Sequence, residues 1–289
     1  MSRTVAQAFS IFLDRLTPSQ SERDAAASHR SSVENCLQSR LDVKKFRETG
    51  SFRHGTGVHG HVDVDLLVSL GGSKPQSSDT ALNWVKTALQ ASFPRTTIHT
   101  SRPAVVAEFG DGSERWEVVP AFLTARGGPS VYIYDIPGVP SGWIDTAPEE
   151  HLTYVNEVNS LTKVKGGAKG LARFAKAWKY YNNVPISSFY LEMRAASYIA
   201  NESSLIWSQD VCRYFEHLES ISLASMNDPR GATGRIYPCS TTAKTDEALS
   251  KVRSAAKRAR KAVSNETSNP ADAFYNWDLV FNYHFPSRL

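Results

Sequence analysis

Cysteine is scarce in this chain: three residues in 289, Cys36, Cys212 and Cys239. They are odd in number, widely spaced and form no Cys-x-x-Cys pair, so neither a disulfide framework nor a zinc site is signalled, and reduced cytosol fits best. Long apolar runs are missing as well. Nothing approaches the roughly 18 uninterrupted apolar residues of a membrane span, which excludes an integral membrane protein. Seventeen Gly and fourteen Pro are ordinary usage, so collagen-like and disordered classes drop out. The apolar stretch Val5 to Leu13 is interrupted by Gln7 and Ser10 and followed by Asp14 and Arg15, with no small-residue cleavage site, so no targeting signal is expected. Internal repeats and long low-complexity segments are also lacking. The charge is close to balanced, 33 basic against 29 acidic residues. That is compatible with an anionic ligand and too mild to demand nucleic acid.

What the chain does have is apolar residues at 41%, enough to bury a full core without staples. Val5, Phe9, Phe12, Leu13 and Leu16 recur at helical spacing, and Thr17-Pro18-Ser19 with Glu22 reads as a stop and a fresh capping-box start for a second helix running to about Leu41. Strand-like runs follow at Val62 to Leu70, Pro103 to Phe109, Arg115 to Val119 and Val131 to Tyr134, with a helical stretch, Asp79 to Ala91, between the first two. From about Pro148 the pattern is helical almost to the end. The spacing predicts an α+β fold: a central sheet with flanking helices over residues 1–147, then an all-helical lobe over 148–289. In the helix near 243–264, Lys251, Arg253, Lys257, Arg258, Arg260 and Lys261 oppose an Ala/Val stripe and read as a solvated face, not a nucleic-acid patch.

The most informative stretch is Gly50-Ser51-Phe52-Arg53-His54-Gly55-Thr56-Gly57, leading into Val62-Asp63-Val64-Asp65-Leu66. Strand side chains alternate, so Asp63 and Asp65 share one face while Val62, Val64 and Leu66 turn to the core. Two like charges so close call for a cation, and hard oxygen donors at this spacing suit Mg²⁺. The Gly-Ser turn upstream can bring backbone N–H groups and a hydroxyl to a phosphate, so a nucleoside triphosphate with Mg²⁺ matches both halves. A third carboxylate is expected on a neighbouring strand, and Glu117 in Arg115-Trp116-Glu117-Val118-Val119-Pro120-Ala121 supplies it. His54, His59 and His61 crowd the same loop without the spacing of a zinc motif and are expected as exposed loop residues.

Gly50 to Val68 resembles the nucleotidyltransferase signature of the DNA polymerase beta superfamily. With Glu117-Val118-Val119-Pro120-Ala121 the chain is similar, over about residues 5 to 283, to the bacterial cGAS/DncV-like nucleotidyltransferases (CD-NTases), cyclic oligonucleotide synthases of anti-phage signalling. The resemblance implies a polymerase beta-like catalytic lobe built on a central mixed sheet and a helical nucleotide-binding lobe, with the active site in the cleft between them. It also implies two Mg²⁺ ions, replaceable by Mn²⁺, held by Asp63, Asp65 and the third acid, with Gly50 and Ser51 at the triphosphate. Glu117 stands where a third aspartate is common, a difference of one methylene.

Lys165, Lys169, Arg173 and Lys176 follow helical spacing as a basic stripe, and Ser187 or Ser188 is placed to cap the next helix. By resemblance Lys176 and Ser188 contact phosphates and Phe189 stacks on a base. Asn227-Asp228-Pro229-Arg230 is similar to the family's late Asp-Pro loop and reads as a turn, with no catalytic role assigned. The implied partners are ribonucleoside triphosphates (ATP, GTP, UTP or CTP), an effector that binds the cyclic product, and regulatory proteins, all in a bacterial cytoplasm. Rival readings are a transferase making a linear product or modifying protein or RNA, and a silent nucleotide-binding module.

Overall fold

The computed structural model describes residues 2–139 and 141–289. The chain divides into two compact units, one of residues 18–153 with 230–234, the other of residues up to 17, 154–229 and 235–289.

The first unit opens, after α1 (Val5–Leu16) of the other unit, with α2 (Gln20–Ala26) and α3 (Arg30–Arg40). Ser19 caps α2 by accepting the Glu22 N–H at 3.1 Å. One continuous helix to Leu41 was the expectation from spacing; the helix instead breaks at 27–29, where the Ser28 hydroxyl and the His29 N–H both donate to the buried Glu114 carboxylate. Then come β1 (Val43–Thr49), α4 (Gly50–His54), β2 (Asp63–Leu70), α5 (Ser78–Ser92), β3 (Thr97–Ser101), β4 (Ala104–Phe109), β5 (Glu114–Leu123), β6 (Tyr134–Pro137) and β7 (Trp143–Thr146). Five strands run in the order β1-β2-β5-β4-β3, and β6 and β7 extend the sheet from β5. Among the described residues only β2 and β5 pair parallel, so the sheet is mixed, as the resemblance implies.

One face of this sheet is dry. Val64, Leu66 and Val68 of β2 and Trp116 and Val118 of β5 pack with Val33 and Leu37 of α3 and Leu82, Val85 and Leu89 of α5. Each such side chain contributes roughly 1.5–3 kcal/mol on burial. Because the side-chain period is two, that commitment drives Asp63 and Asp65 to the opposite face. The pattern reading missed β1, β3 and β7. β1 carries Lys44, Lys45, Arg47 and Glu48, the charges that protect a sheet edge and hide its strand character.

The second unit holds α1 (Val5–Leu16), the greater part of α6 (Pro148–Ser160), α7 (Gly167–Tyr181), α8 (Ser188–Ile199), α9 (Trp207–Ser220), a short β8/β9 ribbon (Met226–Asn227, Arg235–Ile236), α10 (Thr242–Ser264) and α11 (Pro270–Val280). The division therefore differs from a single cut at 147/148. α1 belongs with the C-terminal helices because Phe9 and Phe12 insert among Phe174, Trp277, Phe281 and Phe285, with Phe9 edge-on to Trp277 at 4.8 Å and Phe12 edge-on to Phe281 at 4.7 Å. α7 and α9 meet at Gly170, where an added Cβ would lie 2.3 Å from the Trp207 ring.

Four of the six cations in the α10 charge run are bonded within this unit, and Arg253 and Lys257 are exposed. Lys251 donates to the Asn182 and Asn183 carbonyls at the end of α7, and Arg258 to the Leu279 carbonyl in α11. Arg260 pairs with Glu216 and Glu219, Lys261 with Asp272. Cations at helix C-termini satisfy last-turn carbonyls and the helix dipole. Among the described residues no helix is long and apolar enough to cross a membrane.

Candidate active site

Register brings the acids together. Asp63 lies opposite Arg115 and Asp65 opposite Glu117 in the parallel β2/β5 pair. Partners in register point to the same side of a sheet, so Asp63, Asp65 and Glu117 share the face away from the core. All three are partly exposed. β1 ends at Thr49, opposite Asp65, and the chain turns there into α4. Gly50 makes that turn at φ +59°, the left-handed region. A Cβ at Gly50 would lie 1.9 Å from Asp65 Oδ2, so the carboxylate of β2 rests against the Cα of the Gly-Ser turn. The turn and the acids are thus one structure. Ser51 follows Gly50 in the first turn of α4, and its carbonyl accepts the Thr56 N–H at 3.0 Å, which closes the loop back on itself.

A fourth charged group stands among the acids. The Arg115 guanidinium donates to Glu117 Oε1 from Nη2 at 3.0 Å and from Nε at 3.3 Å, and to Glu108 Oε1 from Nη1 at 2.9 Å. Its Nε lies 3.8 Å from Asp63 Oδ2. Glu108 reaches the same face because it is opposite Arg115 in the β4/β5 pair. Burial works to depress the Arg115 pKa, but the bonds and charge of Glu117, then the charges of Asp63 and Glu108, hold it above its ordinary value. Asp63, Asp65 and Glu117 form a donor set whose chemistry suits Mg²⁺: hard carboxylate oxygens on adjacent strands. As the side chains stand, no three His, Cys, Asp or Glu among the described residues are grouped tightly enough to hold a metal ion. Glu117 is turned toward Arg115 and Glu108.

Of the three loop histidines, His59 and His61 are exposed as expected and His54 is not. His54 is buried at 3% exposure in α4. His59 is exposed and pairs with Glu22 at 2.6 Å, while the Gly60 N–H donates to the other Glu22 oxygen at 2.8 Å. Burial raises the Glu22 pKa, but these bonds outweigh it and hold the carboxyl below its usual range. The pair ties α2 to the loop before β2.

In the helical unit, Ser187 caps α8 by accepting the Tyr190 N–H at 3.2 Å, which leaves the Ser188 hydroxyl for another partner. Lys179 Nζ donates to it at 2.6 Å. Lys176, expected at the phosphates, is buried at 1% exposure and donates to Glu192 Oε2 at 2.7 Å. The lysine beside Ser188 is therefore Lys179, while Lys176, three residues earlier, faces Glu192 between α7 and α8. Phe189 is 36% exposed. In the basic stripe, Lys165 is exposed ahead of α7 and Lys169 and Arg173 are partly buried, so only part of it is a wet face. In the late loop, Arg230 lies 3.7 Å from Glu150 and the Gly234 N–H donates to Asp145.

Sequence reasoning missed Arg115, Glu108, Lys179 and Glu192. Arg115 was findable: it precedes Glu117 by two residues in a strand and so must share its face. Glu192 was not, since nothing local marks a carboxylate as the partner of a lysine 16 residues earlier on another helix.

The family model for a Second Messenger Oligonucleotide or Dinucleotide Synthetase domain matches residues 3–159. A protein of Bacillus cereus (strain VD146) named "Probable cyclic nucleotide synthase" is 23% identical over 268 residues, 81% of this chain and 74% of that protein. Among solved structures, CdnC of Escherichia coli MS115-1 with ATP superposes with a TM-score of 0.77 at 16% identity, covering 97% of this chain and 98% of that one. Vibrio cholerae DncV, a cyclic AMP-GMP synthase bound to a linear intermediate, gives 0.66 at 13% identity over 97% and 82%. These likenesses are of fold: a polymerase beta-like nucleotidyltransferase architecture.

Proposed function

The chain belongs to the Second Messenger Oligonucleotide or Dinucleotide Synthetase family, the bacterial cGAS/DncV-like nucleotidyltransferases, and from that premise we propose that it joins ribonucleoside triphosphates into a cyclic di- or trinucleotide with release of pyrophosphate. The observation that carries this reading is the register of Asp63, Asp65 and Glu117 on one sheet face, with the Asp65 carboxylate against Gly50 of the Gly-Ser turn.

In this proposal a ribose hydroxyl of one nucleotide attacks the α-phosphorus of a second. Asp63, Asp65 and Glu117 hold two Mg²⁺ ions, or Mn²⁺ in their place. When bound, such ions lower the pKa of the attacking hydroxyl and neutralise charge on the leaving pyrophosphate. Gly50 and Ser51 present backbone N–H groups and a hydroxyl to the phosphates of the donor nucleotide. Ser188 offers a second hydroxyl, already held by the Lys179 ammonium. Lys176 would have to leave a buried carboxylate to reach a phosphate, and stranding that charge in the interior is costly. Phe189, partly exposed beside Ser188, is proposed as the base-stacking ring. Repetition of the step and ring closure complete the product, and the activity is assigned to anti-phage signalling through an effector that reads that product. A CdnC relative is solved in complex with a HORMA protein, and a regulatory protein partner is proposed here on that likeness.

The test is incubation of the purified protein with Mg²⁺ or Mn²⁺ and all four ribonucleoside triphosphates, beside Asp63→Ala/Asp65→Ala, followed by phosphatase treatment and mass spectrometry. A phosphatase-resistant product absent from the double variant is expected. A phosphatase-sensitive product would keep the transferase and remove cyclisation.

A further inference from the structure

The acid face contains its own cation. Arg115 is fixed at its far end by Glu108 on β4, which is not among the proposed metal ligands, and at its near end by Glu117, which receives two of its N–H groups on the single oxygen Oε1. Its Nε stands 3.8 Å from Asp63. Two further features hold it there. The register is rigid, since Asp63, Arg115 and Glu108 face one another on three consecutive strands. The guanidinium is also a planar fork that cannot lose its proton, so its charge is permanent.

We propose that Arg115 is a positioning residue that acts as a resident counter-cation. It weakens divalent-cation binding to Asp63, Asp65 and Glu117 alone, so that metal loading depends on the phosphates of the incoming nucleotide. This rests on the metal-site reading above. A fixed positive charge beside the carboxylates offsets part of their field and repels a dication. A triphosphate brings several negative charges of its own and reverses the balance. Repulsion between a single and a double charge about 6 Å apart is worth about tenfold in binding even at the dielectric constant of water. The same clamp accounts for a glutamate at this position. The longer side chain can give one oxygen to Arg115 and keep the other for a metal, which suits a residue that serves two cations.

The experiment measures Mn²⁺ binding by electron paramagnetic resonance at fixed ionic strength, without nucleotide and with a non-hydrolysable ATP analogue. It compares the wild type, Arg115→Gln and Arg115→Lys, each with and without Asp63→Ala/Asp65→Ala. Without nucleotide, Arg115→Gln is expected to bind Mn²⁺ about tenfold more tightly than wild type, and Arg115→Lys, which keeps the charge, to stay within a few-fold of it. With the analogue the gap should close. The gain must vanish when both aspartates are removed. Equal or weaker Mn²⁺ binding by Arg115→Gln overturns the inference, as does a gain in Arg115→Lys of the same size. If removing the aspartates leaves Mn²⁺ binding untouched in every background, the metal-site reading itself has failed. If removal abolishes binding and Arg115→Gln shows no gain, only the role of Arg115 has failed.

Discussion

Lys176 and Glu192 form an ion pair at 2.7 Å with side chains only 2% and 3% exposed, between α7 and α8. Surface pairs contribute little, but a pair this deep behaves differently, because removing one partner leaves the other charge in the interior. Lys176→Met and Glu192→Gln are each expected to cost about 3–5 kcal/mol, a large part of the roughly 5–15 kcal/mol that stabilises an ordinary domain. With a urea m-value of about 2–3 kcal/mol/M, the unfolding midpoint falls by roughly 1–2 M. The double variant Lys176→Met/Glu192→Leu removes both charges and fills the space with apolar atoms, so it should regain most of the loss. Burial also shields the pair from ions, and the differences should persist at high salt. Urea titrations followed by far-UV circular dichroism, at low and high NaCl, supply the check. Single variants costing under about 1 kcal/mol, or a double variant no better than the worse single, would refute the claim that this pair is a buried structural one.

Two further outcomes follow from the sheet unit. Gly50→Ala places a Cβ 1.9 Å from Asp65 Oδ2 at φ +59°; the left-handed backbone costs about 1–2 kcal/mol and the carboxylate must move, so nucleotide transfer should fall by far more than thermal stability, as paired melting and product assays would reveal. Glu114 is buried and accepts from the His29 N–H and Nδ1 and from Trp116 Nε1 at 2.7–2.9 Å; burial raises its pKa, yet the Ser28, Trp116 and His29 bonds prevail and hold it below 4.5. A depressed carboxyl stabilises the fold at pH above its unfolded value and loses that contribution as pH falls through its folded one. Glu114→Gln should therefore be less stable at neutral pH and show a flatter loss of stability below about pH 4.5, read from denaturation curves across that range.

Much of the fold was legible because it rests on local patterns. The amphipathic stripes of α1, α5, α7 and α10 and the alternation of β2 are periodicities within one segment, and the dry face of β2 follows from Val64, Leu66 and Val68 alone. β1 was not legible, since a charged edge strand is defined by its neighbour. The break at 27–29 was hidden for a similar reason: the carboxylate that rewards it lies at position 114. Of the candidate site, Gly50, Ser51, Asp63, Asp65 and Glu117 could all be named from a loop, an alternation and a β-rich run, although the strand continues through Pro120 to Leu123 where the run was read as ending. The identity of the lysine beside Ser188 could not, because helical spacing gives a row of lysines and only the packing of α7 on α8 decides which one is buried.

By itself the amino-acid sequence determined the acid-bearing strand, the glycine turn before it, the chemistry those acids favour and a strand-rich region followed by a helical one, since each depends on residue type and short-range period. Tertiary structure decided the rest: that α1 joins the C-terminal helices through Phe9 and Phe12, that Lys176 is spent on Glu192, and that Arg115 stands among the acids anchored by Glu108. These are contacts between residues far apart along the chain or on different strands, and their energies come from burial and from fixed distances between charges, neither of which exists until the strands and helices have packed.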